Sequence, residues 1–221
     1  MTEQKKKQDE KQSTIYQKLN TFADWFIRLV MVNILIIISA LPLITLYSAL
    51  HAGYRLMYDY TQKDETKIFQ GYVMYFKSGL LKKMAFSLLI MSIAIFGYWN
   101  VTYYIDQIDL GAGLFYTLGY YITFSILVSI YVVTLYTWIV ISVFPNAKFG
   151  MLIKLSFILA GKYVGHTLLI MVIFIIPYVL MLTPFLFLIF VFFGISTPLL
   201  AYTIVTLKPR KYLESLGVKH D

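Results

Sequence analysis

The stretch from Phe22 to Tyr58 constrains this chain most. It is an apolar run broken near its middle by Pro42 and closed by Arg55. Proline lacks an amide hydrogen and disfavours a helical residue before it, so a kink or turn is predicted at Pro42 instead of one continuous helix. Two polar side chains lie inside the run, Asn33 and His51, each nine positions from Pro42. If the chain folds back there, the two arrive at the same depth on facing helices. A hydrogen bond between them would contribute about 0.6–2 kcal/mol. Asn33 and His51 are therefore expected as an intramembrane polar pair, with a ligand-facing pair as the alternative. Pro42, Thr45, Tyr54 and Arg55 are expected to form the turn and the polar interface.

Composition supplies the solvent. Of 221 residues, 59% are hydrophobic and 14% charged, against about a quarter charged in a soluble domain. Apolar runs long enough for a bilayer recur, so most of the chain is read as embedded in lipid. The net charge of +8, from 19 Lys and Arg against 11 Asp and Glu, falls between the apolar runs. That is the bias of basic segments toward the inner face of a membrane, and no nucleic-acid partner is expected.

The chemistry that is absent narrows the function classes. There is no cysteine, which excludes disulfides and thiolate nucleophiles. His51, His166 and His220 lie far apart in sequence, without metal-ligand spacing. No P-loop, HExxH or GxSxG motif occurs, and no acid or base sits at the centre of a span, where a proton- or ion-coupled transporter needs one. The chain reads as a non-enzyme with no cofactor and no metal.

The expected architecture is all-α: a polytopic transmembrane helix bundle with six membrane segments, the second short and turned by a hairpin at Pro42. Residues 1–18, rich in Lys, Gln and Glu, are expected as a disordered basic cytoplasmic tail. Residues 19–207 form one transmembrane domain with spans at about 22–41, 43–58, 84–104, 114–144, 167–181 and 185–207. Residues 208–221 form a second cytoplasmic tail. Pro184 predicts an outward turn, and Pro198 a kink in the last span. Ser125, Ser129, Thr134 and Thr137 have the spacing of a helix–helix contact. The loop holding Asp106 and Asp109 carries no Lys or Arg and is expected outside, with both termini inside a cell membrane.

Two inner segments, Ile68–Lys83 and Met151–His166, are amphipathic at helical spacing and predict helices lying on the cytoplasmic surface. In the first, Phe69, Val73 and Phe76 share a face. With Lys77, and with Lys154 and Lys162 of the second, they form the expected dock for a partner protein.

The run WFIRLVMVNILIIISALPLITL, followed by Ser48–Leu50 and Tyr54–Arg55, resembles the opening of the YesL-like bacterial integral membrane proteins (domain of unknown function 624). Asn33, Leu41, Pro42, Thr45, Tyr54 and Arg55 carry the resemblance. Leu46–Tyr47 stands where that family carries Gly-Pro. The resemblance implies a small polytopic protein of Gram-positive bacteria, encoded near carbohydrate-uptake and polysaccharide-degrading systems. It implies the lipid bilayer and ABC sugar-transporter subunits as partners, and leaves the oligomeric state open. The expected function is accessory: assisting or regulating a sugar ABC importer. The alternative is the substrate-binding membrane component of an energy-coupling-factor importer, which would need a closed polar cavity at the outer side.

Overall fold

The structure is a computed structural model. It describes the backbone of residues 2–217 and the side chains of residues 16–216; Met1 and residues 218–221, with His220, lie outside the described residues. Among the described residues the chain is all-helical, with no strand. Helix α1 (Thr2–Ala40) leads through Pro42 and a 3-10 turn (Leu43–Thr45) into α2 (Leu46–Thr61). Then come α3 (Ile68–Lys77), α4 (Leu80–Asp109), α5 (Leu114–Val143) and α6 (Phe149–Lys162). The chain ends with α7 (Val164–Ile173), α8 (Ile176–Leu180), α9 (Pro184–Phe193), α10 (Ser196–Val205) and α11 (Leu207–Gly217).

Three helical stretches are long and apolar enough to cross a membrane: Tyr16–Ala40, Leu80–Asp109 and Leu114–Val143. The number rises to five if each of two bent pairs is one span. These pairs are α6 with Val164–Leu180, bent by 100°, and α9 with α10, bent by 56°. Helix α2 is different. Its 16 residues reach only about 24 Å, and most are buried among other helices instead of facing outward.

The turn at Pro42 makes a hairpin. Arg28 lies over the Tyr60 ring, 4.4 Å from its centroid, and a Cβ built on Gly53 would meet Ile36. Helices α1 and α2 therefore run antiparallel. Thr45 ties the turn, its hydroxyl donating to Ser39 O at 2.6 Å and Pro42 O at 2.7 Å. The small residues Ser48, Ala49, Ala52 and Gly53 let α2 enter the middle of the bundle, where each is buried. An aromatic cluster closes around it: Tyr202 lies 5.3 Å from Tyr54 and 5.5 Å from Trp138, and Trp138 lies 5.6 Å from Phe174, between ring centroids.

The prolines set the breaks in the last third of the chain. A proline removes the hydrogen bond to the carbonyl four residues back and its ring clashes with that carbonyl. Pro198 is four residues beyond Gly194, where α9 stops, and Pro177 is four beyond Ile173, where α7 stops. Pro184 opens α9 behind Thr183, whose hydroxyl accepts the Leu186 amide at 3.3 Å.

Three local expectations are corrected. The basic segment 2–18 continues α1 as helical backbone, in keeping with the good helix propensity of Lys, Gln and Glu. Residues 208–217 belong to α11, with Arg210 and Leu213 buried and Tyr212 and Leu216 packed against the core, so this part of the second tail packs on the bundle. Ser125 and Ser129 face outward and donate to their own helix at 2.8 Å each. Of that predicted contact stripe, Thr137 is the buried member, bonded to the Tyr47 hydroxyl at 2.5 Å.

Candidate functional site

Two polar features sit inside the bundle, and they are separate. The first is built on Asn33, fully buried. Its amide nitrogen donates to Phe190 O at 3.0 Å and Val191 O at 2.7 Å. Its oxygen accepts the amides of Ile195 and Ser196, each at 2.8 Å. A broken helix leaves carbonyls orphaned at one end and amides at the other. Here one side chain answers both ends of the α9–α10 break and uses all four of its hydrogen-bonding positions.

The expected pair of Asn33 with His51 is therefore not formed. Asn33 is saturated by backbone, and neither ring nitrogen of His51 has a partner. The physical reason is register. Ile36 faces Gly53 and Arg28 faces Tyr60, so the hairpin is centred on the 3-10 turn after Pro42. Equal sequence distance from Pro42 then places the two side chains at different depths.

The second feature is a cavity of about 250 Å³ at one end of the bundle, lined by residues of α2, α3, α4, α5 and the two loops beside them. His51 and Arg55 reach it from α2, Tyr75 from α3, Lys82 and Lys83 from α4, and Ser142 from α5. Arg55 donates to Ser142 O at 3.2 Å and lies over the Tyr75 ring, 5.0 Å from its centroid. Lys83, 1% exposed, donates to Tyr75 O at 2.7 Å. Lys82 donates to Pro145 O at 3.1 Å and to Ala147 O. Arg55 on the Ser142 carbonyl, in the last turn of α5, suits the negative end of that helix's dipole. The Tyr75 hydroxyl donates away from the cavity to Asp59. Burial and that carboxylate together hold the Tyr75 phenol above its ordinary pKa, so it stays a donor.

Beside this cavity, Arg210 joins α11 to the bundle. It donates to Ser142 Oγ at 2.7 Å, to Tyr54 OH at 3.1 Å and to Glu214 at 2.8 Å, with its plane 3.6 Å from the Tyr58 ring centroid. Tyr54 and Arg55 thus make their polar contacts with α11 and α5. Pro42 is exposed at the opposite end of the hairpin.

The expected dock is not one patch. Phe69, Lys77 and Lys154 are exposed, whereas Val73 and Phe76 are half-buried, Phe76 stacking on Tyr72. Lys162 is exposed too, with its ammonium over the Tyr212 ring, 3.3 Å from the centroid. Helix α3 buries Gly71 and Tyr72, with Ile68, Tyr75 and Phe76 packed on the core, and ends at Lys77. Gly79, at φ +61°, turns the chain into α4. Lys82 and Lys83 consequently belong to α4, not to a surface helix running to Lys83.

Lys82, Lys83, Ser142 and Arg210 escaped the sequence reading as site residues. The available signal was the Lys82–Lys83 dipeptide at the mouth of a span. Neighbouring helical residues point about 100° apart, so both lysines could not face solvent along with the rest of an amphipathic face.

The class these observations define is a membrane-embedded helical bundle. Residues 29–101 match the family model described as "Protein of unknown function, DUF624". The matched stretch holds Asn33 and seven lining residues of the cavity, among them His51, Arg55, Tyr75, Lys82 and Lys83. No curated protein matches the chain, and no solved structure does.

Proposed function

We propose that this is a non-enzymatic, multi-pass cell-membrane protein, accessory to carbohydrate uptake through contact with subunits of a sugar ABC importer. The observation that carries the accessory reading is where the polar side chains inside the bundle are used. Asn33 holds the α9–α10 break, Tyr202 donates to Leu135 O at 2.6 Å, Tyr47 bonds Thr137, and Tyr136 bonds Thr167 at 2.9 Å. Groups engaged this way fasten helices to one another instead of lining a passage for a solute. The link to sugar uptake rests on the resemblance over 22–83.

In this reading α1 enters the membrane, α2 returns within the bundle, and four further segments follow, giving six with both termini on the cytoplasmic side. The basic residues around Arg55, Lys82, Lys162 and Arg210 then face the cytoplasm, as the positive-inside bias requires. Partner contact falls to the exposed parts of α3 and α6 at that end, with Phe69, Lys77 and Lys154 the residues most open to it.

A second reading, the substrate-binding component of an energy-coupling-factor importer, is favoured by the interrupted α9–α10 helix. Transporters commonly build substrate sites where helices are discontinuous. Crosslinking in native membranes, followed by purification of the tagged protein, separates the two. Co-purification of a sugar-importer permease or its ATPase supports the accessory role. Recovery with a general energising ATPase module supports the second reading. A protein recovered alone removes both.

A further inference from the structure

We propose that the cavity between α2, α4 and α5 is a binding site for a phosphate-class oxyanion, either the headgroup of an anionic phospholipid or a small soluble phosphate. The proposal does not depend on the sugar-importer reading.

Its first support is unbalanced charge. Arg55, Lys82 and Lys83 line the cavity and no carboxylate does. Among the described residues the ion pairs are Asp24–Arg28 and Arg210–Glu214, neither of which involves these three cations. Asp59 also faces Arg55, but it accepts the Tyr75 hydroxyl behind the cavity wall. A buried ammonium without a counter-charge is costly, and Lys83 is such a group. Each cation also has donors left over. Lys83 uses one of its three on Tyr75 O, and Arg55 uses one of its five on Ser142 O.

The second support is His51. It is 5% exposed, lines the cavity, and has no hydrogen-bond partner on either ring nitrogen. Buried polar groups are nearly always paired. A neutral imidazole carries one N–H donor and one acceptor nitrogen, so an acceptor reaching the ring from the cavity would pair the N–H. One oxyanion with several acceptor oxygens can take donors from the cations Arg55, Lys82 and Lys83 that line the cavity, which neither a chloride nor a single water can do as fully.

Size and place narrow the ligand. About 250 Å³ is smaller than the roughly 300–1,000 Å³ of a drug-sized pocket, and suits a phosphate bearing a small substituent. The mouth lies between the α3–α4 turn at Ser78–Gly79 and the loop at Pro145–Asn146, at the basic end of the bundle. Basic pockets between helices at such a level bind lipid phosphates.

The test uses the full chain purified in maltoside micelles and phosphate-free buffer. One arm titrates inorganic phosphate and follows thermal unfolding. The other adds phosphatidylglycerol or, for comparison, phosphatidylcholine, and counts retained lipid by native mass spectrometry. Stabilisation by inorganic phosphate assigns a soluble ligand; selective retention of phosphatidylglycerol assigns a lipid headgroup. Lys82→Gln and Lys83→Met should each weaken the effective ligand by about tenfold or more, as loss of a charge-assisted hydrogen bond does, while Lys154→Gln on exposed α6 leaves it unchanged. If Lys83→Met fails to fold, Lys82→Gln, on a less buried residue, carries the comparison. No response of the wild-type protein in either arm overturns the proposal, as does equal binding by wild type and Lys82→Gln.

Discussion

Asn33 accepts the amide of Ser196 at 2.8 Å across 163 residues of chain, and through that bond the first helix holds the broken last one in place. The same side chain serves Phe190, Val191 and Ile195, so its removal takes a partner from four backbone groups at once, of which Phe190 O retains the Gly194 amide. Asn33→Leu should lower stability by about 2–3 kcal/mol. That is below the sum of four buried bonds, because the unfolded state in lipid also finds partners. Asn33→Asp keeps at most one donor, and only in its protonated form, and should be comparably destabilised. Thermal unfolding in maltoside reads both variants. A wild-type melting curve for Asn33→Leu would mean that the break is held by other contacts.

The central helix packs tightly against its neighbours at Gly53. A Cβ there would lie 2.6 Å from Ile36 Cδ1 and 3.1 Å from Leu199 Cδ1. The nearer atom is a side-chain tip that can move, so Gly53→Ala should cost about 1 kcal/mol and Gly53→Val about 1–3 kcal/mol. Ile36→Val deletes the Cδ1 in question. Combined with Gly53→Ala, it should be less destabilising than the two single effects added. Strict additivity in the double-mutant cycle would place the strain elsewhere.

Much of the outline was legible in the sequence, for reasons tied to particular residues. Pro42 announced the hairpin because a missing amide and a restricted neighbour act locally. Pro198 announced its kink, with the break at Gly194, the residue whose carbonyl the ring displaces. The family model over 29–101 covers most of the stretch that carried the resemblance. The depth of Asn33 and His51 was not legible, because the 3-10 turn after Pro42 adds residues to one arm of the hairpin. Nor was the burial of α2. Its run of Ser48, Ala49, Ala52 and Gly53 is the signal for close helix packing, and Ser125 and Ser129, at a similar spacing, face outward. The cavity was hidden for a different reason: Arg55, Lys83 and Ser142 lie on three helices, and only the fold brings them together.

Arg210 fastens α11 through four partners, Ser142, Tyr54, Glu214 and the Tyr58 ring. Arg210→Lys keeps the charge but loses the planar fork and its stacking on Tyr58. The expected result is about 2 kcal/mol less stability for the docking of α11, seen as faster amide exchange over 207–216 with α4 and α5 unaffected. Unchanged exchange in that segment would show that Leu213 and its apolar neighbours suffice to hold it.

The chain contains no cysteine, so single-cysteine labelling reads its topology without background. In the structure the Asp64 turn follows α2, at the end where Arg28 meets Tyr60, and Lys82 bonds Pro145 and Ala147 at the foot of α5. Arg210 ties α11 to Tyr54 and Tyr58 of α2. Asp109 ends α4, where Tyr103 meets Tyr116 across the hairpin. Asp64→Cys, Lys148→Cys and Ser215→Cys should therefore react with an impermeant maleimide from one side of the membrane, and Asp109→Cys from the other. With the six-segment topology, the first three react only in inside-out vesicles. Labelling of Asp64→Cys and Lys148→Cys from opposite sides would break the α4–α5 hairpin as a pair of crossings. Labelling of the first three from the outer face, with Asp109→Cys reached from the inner one, would keep the α4–α5 hairpin as a pair of crossings but remove the cytoplasmic assignment of the basic end.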